Sequence, residues 1–176
     1  MASLRPETPA DYAAVRDVVR RAFDREEVVD LVDRIRSSEN YVPELSFVAE
    51  SDGKIVGHTM LSYVDLVGER SAHRVLTLSP VSVAPEEQGR GIGGSLVRTA
   101  VKAADERGEP LVVLEGSPLY YPRFGFRPAK EFGISIHLPD GVPDEAAMVH
   151  PLTSHDSGIR GEIVYPPAFD VVNQDR

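Results

Sequence analysis

A cluster of glycines constrains the fold of this chain more than any other feature of its sequence. Four of the six residues that follow Gln88 are glycine, and the segment Gln88 to Gly94 lies between a strand pattern ending at Val83 and a helical pattern ending at Arg107. A glycine inside a helix costs about 0.8–1 kcal/mol relative to alanine. In return, glycine lets the backbone approach a ligand closely, and a helix N-terminus offers unpaired N–H groups and partial positive charge. The segment is therefore predicted to bind a phosphate group.

The patterns on either side of the glycines predict a mixture of helices and strands. Apolar residues at helical spacing predict helices at about 8–23, 26–37 and 91–107. Strands are predicted at 4–6, 45–50, 54–63, 74–83, 111–115, 134–138, 146–152 and 161–165, with a hairpin turn at 51–53. Pro80 falls inside one of these strands, and because proline cannot donate to the ladder, a bulge or a break in pairing is expected there.

Composition limits the classes of partner. The length of 176 residues fits a single domain, 1–176, and 19 basic against 28 acidic residues give a net charge of −9, which argues against a nucleic-acid partner. Cysteine is absent, and the five histidines lack the short spacings of a metal site, so no metal is expected. No apolar run reaches the ~18 residues of a membrane span. We therefore expect a soluble, cytoplasmic protein without a membrane partner.

Two other phosphate-binding motifs are alternative interpretations of the glycine-rich segment. A P-loop requires Gly-Lys-Ser/Thr, which the segment lacks. A dinucleotide fingerprint matches Gly89, Gly91 and Gly94, with Glu115 at about the right distance downstream for the acidic residue of that motif. However, the first glycine of that fingerprint follows its strand almost directly, whereas here the segment from Ala84 to Gln88 intervenes. The dinucleotide interpretation stays as the weaker alternative.

The spacing Val83-x-Pro85-x-x-Gln88-Gly89-x-Gly91-x-Gly93 resembles the acetyl-CoA signature of the GNAT superfamily of N-acetyltransferases. A second landmark of the family, a tyrosine four residues before Gly-Phe, is matched by the segment 119–126, Leu-Tyr-Tyr-Pro-Arg-Phe-Gly-Phe. Together with the late segment 165–169, Tyr-Pro-Pro-Ala-Phe, this makes the chain similar to a bacterial subgroup of that superfamily.

The resemblance implies an α/β fold built on a mixed, mostly antiparallel sheet of about six or seven strands with helices on both faces. Two central strands would splay at Val81–Val83 and Leu111–Glu115 to admit a cofactor arm. The implied activity is transfer of an acetyl group from acetyl-CoA, as cosubstrate, to a primary amine of a small molecule or peptide by direct attack in a ternary complex. A non-catalytic acyl-CoA-binding module is the main alternative from another class, and a homodimer stays open.

The resemblance implies that the cofactor is bound by the backbone of the strand ending at Val83 and of the glycine-rich loop. Backbone groups of the strand would bond the pantetheine arm, and the loop N–H groups, with the N–H and hydroxyl of Ser95, would hold the pyrophosphate. Arg90 would either contact the ribose 3′-phosphate or be a solvent-exposed loop residue. The expected cofactor-binding residues are Val81, Ser82, Val83, Gln88, Gly89, Arg90, Gly91, Ile92, Gly93, Gly94 and Ser95.

Acetyl transfer also needs proton donors and acceptors. The resemblance makes Tyr121 the general acid for the thiolate of CoA, since a phenol with a pKa near 10 is protonated at neutral pH. Tyr120 is the alternative, and both rings could instead be packing residues. Glu115, at the end of a predicted strand, is the expected general base. Glu44, His58 or a chain of water molecules are the alternatives for that role.

Overall fold

Three amphipathic helices form where apolar residues recur at helical spacing. In the computed structural model, which describes residues 1–173, α1 spans Tyr12–Phe23, α2 spans Glu26–Arg36 and α3 spans Ile92–Glu106. A 3₁₀ turn, Pro9–Asp11, leads into α1 and replaces the predicted first helical turn. Acidic residues begin α2 and arginines end it, which complements the dipole of that helix.

The described residues form one sheet of nine strands. These are β1 (Ser3–Pro6), β2 (Tyr41–Ser51), β3 (Lys54–Val67), β4 (Ala72–Val83), β5 (Leu111–Glu115), β6 (Arg127–Pro128), β7 (Ile134–Ser135), β8 (Ala147–Pro151) and β9 (Gly161–Val164). The main path is β1-β2-β3-β4-β5-β8-β6, and β9 pairs with both β3 and β7. Only β4–β5 and β7–β9 are parallel among the described pairs. Since β6 and β7 have two residues each, the seven longer strands agree with the predicted mixed, mostly antiparallel sheet.

Apolar side chains are divided between the two faces of the sheet. On one face, α1 and α2 pack against the sheet through buried residues that include Val19, Val32, Met60, Val75 and Val113. On the other face, α3 packs through buried residues that include Leu96, Ala100, Leu61, Leu76 and Val112. Adjacent strand residues such as Leu76 and Val75 therefore enter different cores, as the alternation of a strand requires. The prediction of helices on both faces is confirmed.

The irregularity expected at Pro80 is present as a change of register between β3 and β4. Two residues of β4, Ser79 and Pro80, lie opposite a single residue of β3, Met60. The carbonyl oxygen of Pro80 accepts a hydrogen bond from the hydroxyl of Thr59 at 3.0 Å. The proline thus produces a bulge while the strand continues to Val83.

Just before this bulge, β4 loses its parallel neighbour. Cα pairing of β4 with β5 covers Leu76 with Val112 and Thr77 with Val113, and it does not extend along the remainder of β4. β5 instead keeps antiparallel pairing with β8 along its full length. The two central strands therefore diverge towards their carboxyl ends, as predicted, and leave a gap in the sheet.

Candidate active site

A cavity of about 650 Å³, here called the main cavity, opens at this gap. Its wall comprises Val81 and Val83 of β4, the glycine-rich loop, the first turns of α3, the end of α1, and the segment 120–124. The loop and the second aromatic landmark are thus brought to one site, although about 30 residues separate them in sequence.

The glycine-rich loop has backbone conformations that favour glycine. Gly89 and Gly91 have φ angles of 78° and 82°, a region that L-residues other than glycine rarely adopt. Gly91 is the N-cap of α3 and starts that helix directly after the turn. The N–H groups of the next residues, Ile92 to Gly94, lie in the first helical turn, where the helix itself supplies no acceptor. These donors line the main cavity and can hold an anion.

Gln88 acts through its side chain. Its Nε2 donates to the carbonyl oxygen of Val83 at 3.1 Å, which ties the loop back to the end of β4. Backbone groups of Val81 and Val83 were expected from sequence to bond the cofactor arm, and this carbonyl already accepts a hydrogen bond within the chain. The glutamine in the spacing therefore fixes the position of the loop relative to the strand.

Successive residues of β4 direct their backbone N–H and C=O groups alternately towards β3 and towards the gap. The N–H of Ala84 donates to the carbonyl of Val56 in β3 at 2.8 Å, so the N–H of Val83 points away from β3. Val81 and Val83 line the main cavity with their side chains. Ser82 is fully buried beside its pairing partner His58, and the same alternation directs its backbone N–H and C=O towards β3, away from the gap.

Two predicted phosphate ligands lie outside the main cavity. The N–H of Ser95 donates to the carbonyl of Gly91 at 3.0 Å, because Ser95 is the residue that closes the first α-helical hydrogen bond of α3. Its N–H is therefore already engaged, contrary to the expectation from sequence. Ser95 and Arg90 both line a smaller cavity of about 160 Å³, and Arg90 forms an ion pair with Glu87 at 3.0 Å.

Gly93 and Gly94 also permit close packing of α3 against the aromatic segment. A methyl group at Gly94 would lie 3.1 Å from the ring of Phe124, and one at Gly93 would lie 3.3 Å from Oη of Tyr120. The two glycines therefore let Tyr120 and Phe124 sit against the start of the helix, a function that adds to the predicted approach of a ligand.

The two adjacent tyrosines differ in environment. Tyr121 packs edge-on against Tyr120 and Phe126, with ring centroids 5.0 and 5.9 Å apart. Burial, with a smaller contribution from Tyr120, raises the pKa of Tyr121 to about 12. Both tyrosines line the main cavity. A phenol at position 121 is therefore held protonated at neutral pH beside the loop.

Glu115 lies in a separate, neighbouring cavity of about 190 Å³, here called the second cavity. Its Oε2 accepts a hydrogen bond from the hydroxyl of Tyr165 at 2.7 Å. Phe169, 5.0 Å from the Tyr165 ring, also lines this cavity, as do Leu78 and Ser79 of β4. The structure therefore places Glu115 and Tyr121 on different cavities that both run along β4.

The alternatives for the general base lie in other places. His58 is fully buried, its Nε2 lies 3.4 Å from Glu7, and burial lowers its pKa, so it belongs to the interior of the protein. Glu44 is an exposed residue of β2. Neither residue lines the main or the second cavity.

Several residues of the two cavities were absent from the sequence-based assignment. Arg98 and Arg123 line the main cavity, and Tyr165 lines the second. A signal existed for each. Arg98 is four residues after Gly94 on one face of the helix, and the other two belong to the aromatic segments noted above.

Residues 1–173 contain neither a metal-binding cluster nor a helix able to span a membrane. No group of three or more His, Cys, Asp or Glu side chains is arranged to hold a metal ion there. In the same range, no helix combines the length and hydropathy needed to cross a membrane.

Comparison with known proteins agrees with this geometry. A family model described as an acetyltransferase (GNAT) domain matches residues 3–129. The chain is 34% identical over 158 residues to the uncharacterised N-acetyltransferase YjhQ of Escherichia coli K12, covering 88% of this chain and 86% of that protein. These matches extend over most of the chain, and the chain belongs to the GNAT family of acetyltransferases.

Solved structures show the same fold. The crystal structure of the GNAT family N-acetyltransferase YhbS from Escherichia coli in complex with CoA has a TM-score of 0.85 and 28% identity, covering 96% of this chain and 92% of that one. A GNAT family acetyltransferase from Brucella melitensis in complex with acetyl-CoA has a TM-score of 0.78 and 30% identity, covering 97% and 99%.

Proposed function

We propose that this chain transfers the acetyl group of acetyl-CoA to a primary amine by direct attack in a ternary complex. The observation that carries the proposal is the gap between β4 and β5, with the anion-binding loop on the main cavity and a carboxylate on the second cavity. Two structural neighbours contain CoA or acetyl-CoA, which supports the same ligand here. Donor and acceptor would thus approach the gap from the two cavities.

The donor site is built mainly from backbone. The N–H groups at the start of α3 would hold the pyrophosphate, and the N–H of Val83, directed away from β3, would bond the pantetheine arm or polarise the thioester carbonyl. The side chain of Val81 lines the same wall. Gln88 contributes by holding the loop on the strand.

The chemical step requires a neutral amine. The amine nitrogen attacks the thioester carbon, the carbon–sulfur bond breaks, and the sulfur leaves as a thiolate that takes the proton of Tyr121. Glu115, held by Tyr165, would accept the proton lost by the amine from the side of the second cavity. The volume of about 190 Å³ suits a compact amine or the side chain of a peptide.

The first test measures CoA release with a panel of primary amines and peptides. For Tyr121→Phe we expect kcat to fall about 100-fold while binding of acetyl-CoA is retained, since general acid catalysis contributes 10²–10⁴ in rate. Tyr120→Phe is the matched control and should retain most of kcat. Initial rates should give intersecting double-reciprocal lines, because both substrates bind before chemistry.

The proposal fails if acetyl-CoA binds but no amine in the panel is acetylated, which is the outcome for a non-catalytic acyl-CoA-binding module. Parallel double-reciprocal lines would overturn direct transfer alone. A rise in melting temperature with NAD and none with acetyl-CoA would restore the dinucleotide interpretation.

A further inference from the structure

Four side chains on the wall of the main cavity form a continuous stack, here called the arginine–aromatic clamp: Arg98, Tyr120, Arg123 and Phe124. The guanidinium carbon of Arg98 lies 4.8 Å from the ring centroid of Phe124, and that of Arg123 lies 4.9 Å from the ring centroid of Tyr120. The two rings meet edge to face, with centroids 5.1 Å apart. An aromatic pair is thus flanked by two cations.

The clamp adjoins the anion-binding loop. Nη1 of Arg98 lies 3.3 Å from the position that a Cβ at Gly94 would occupy, so this guanidinium sits against the first turn of α3. Arg123 reaches the same cavity from the 3₁₀ helix Tyr121–Phe124. The two cations therefore approach one ligand site from different parts of the chain.

The positive charge of the clamp is not neutralised within residues 1–173. Neither Arg98 nor Arg123 has a carboxylate within 4.0 Å in that range, and both side chains are exposed. Other arginines near the loop are paired: Arg90 with Glu87 at 3.0 Å, and Arg21 with Glu86. Stacking holds a guanidinium by its face and leaves its N–H edge available to a second partner.

We propose that the arginine–aromatic clamp binds the 3′-phosphate of the nucleotide portion of CoA and selects CoA over 3′-dephospho-CoA. This inference rests on the proposed use of acetyl-CoA. The backbone N–H groups of the loop take the pyrophosphate, and CoA carries a further phosphate monoester on its ribose. Arginine suits this dianion because its planar edge donates two parallel hydrogen bonds to phosphate oxygens. Arg98 and Arg123 take this role in place of Arg90, which lines another cavity.

Calorimetric titration of the purified protein with CoA and with 3′-dephospho-CoA, without an acceptor, tests the proposal. The unmodified chain should bind CoA about tenfold or more tightly, in line with hydrogen bonds to a charged group. Arg98→Gln and Arg123→Gln should each lower CoA affinity about tenfold and leave 3′-dephospho-CoA within about twofold. Arg90→Gln is the matched control and should retain the preference.

Equal affinity of the unmodified chain for the two ligands would overturn the proposal. An equal loss of affinity for both ligands in the arginine variants, with unchanged melting temperature, would overturn the proposal as well. Such a result would indicate a general effect on the loop. The readout is independent of acetyl transfer. If the protein prefers CoA but acetylates no amine, the role of the clamp is supported and the proposed reaction is contradicted. If the protein does not bind CoA, both proposals are contradicted.

Discussion

Tyr121 is held by a glycine as much as by its aromatic neighbours. Its ring lies directly against the Cα of Gly116, the residue after β5, and a methyl group at Gly116 would come within 2.8 Å of Cδ2 of the ring. The backbone N–H of Gly116 donates to the carbonyl of Ala146 at 2.9 Å, so the backbone at that point is fixed. An added methyl group must therefore move the ring.

We accordingly expect Gly116→Ala to lower kcat about tenfold or more by displacing the phenol of Tyr121, given the sensitivity of catalysis to about 1 Å of misplacement. Steady-state kinetics with the best amine of the panel would measure this. The double variant with Tyr121→Phe should be little slower than Tyr121→Phe alone, since both changes act through one group. Additive losses in this cycle would contradict the explanation.

The residue types at the loop were readable from sequence, but some of their functions were not. Gln88 was one of the residues predicted to bind the cofactor through the loop backbone, and nothing in the sequence indicated that its amide side chain bonds Val83. Arg90 was a candidate for phosphate because it lies within the motif, whereas Arg98 and Arg123 reach the main cavity. Side-chain direction decides such roles, and it depends on the packing of distant elements.

The two glycines at the ends of α3 allow an effect on stability to be distinguished from an effect on ligand binding. Gly91 begins this helix and Gly108 follows its end, and both have φ of 82° with open space where a Cβ would be. Alanine at either position meets no neighbour and suffers only the cost of the left-handed conformation, about 1–2 kcal/mol.

We expect Gly91→Ala and Gly108→Ala to lose similar free energy of unfolding, about 1–2 kcal/mol each in urea titrations. Only Gly91→Ala should also weaken CoA binding, because its strain falls on the loop that bears the phosphate donors. Calorimetric titration of both variants with CoA measures this difference in affinity. Equal CoA affinities in the two variants would show that the loop at Gly91 takes no part in ligand binding.

The longer elements followed from periodicity, and the shortest ones did not. The three helices and the hairpin at Ser51 to Lys54 formed where apolar spacing and turn residues indicated. β6 and β7 are two residues long and exist through their pairing with β8 and β9, so local sequence carries little signal for them. The same limit hid the contact of Glu115 with Tyr165, which lies 50 residues further along the chain.

A buried ionic group joins several elements of the fold. The carboxylate of Glu7 is 0% exposed and lies 2.6 Å from Nη2 of Arg36, which is 5% exposed. Hydroxyls of Tyr41 and Ser46 donate to the same carboxylate at 3.0 and 2.6 Å. The segment after β1 is thereby connected to α2 and β2. Burial alone would raise the pKa of Glu7, but hydrogen bonds from His58, Arg36 and Ser46 hold this pKa below its ordinary value.

Glu7→Gln should destabilise the protein by about 3 kcal/mol, because the buried charge of Arg36 then keeps only its longer ion pair, at 3.3 Å, with the more exposed Asp33. Urea unfolding at pH 7 measures this loss. Glu26→Gln, which removes the partner of the exposed Arg20, is the control and should have a much smaller effect. A loss in Glu7→Gln no larger than that of the control would contradict a structural role for the buried pair.

The carboxyl group of Glu7 should also make the stability of the protein depend on pH. A carboxyl whose pKa is lowered by folding stabilises the folded state above its unfolded pKa, near 4.5, and this contribution disappears as pH falls towards the folded pKa. Unfolding free energies measured between pH 6 and 3 should therefore fall more steeply for the unmodified chain than for Glu7→Gln.

The bond from Gln88 to Val83 strengthens ligand binding at the loop. Ordering one residue of a free loop costs about 1–2 kcal/mol of conformational entropy. Because this side chain and the left-handed glycines shape the loop during folding, that entropy is lost before any ligand arrives. The phosphate-binding surface is thus preorganised, and most of the interaction energy of an incoming pyrophosphate can appear as affinity.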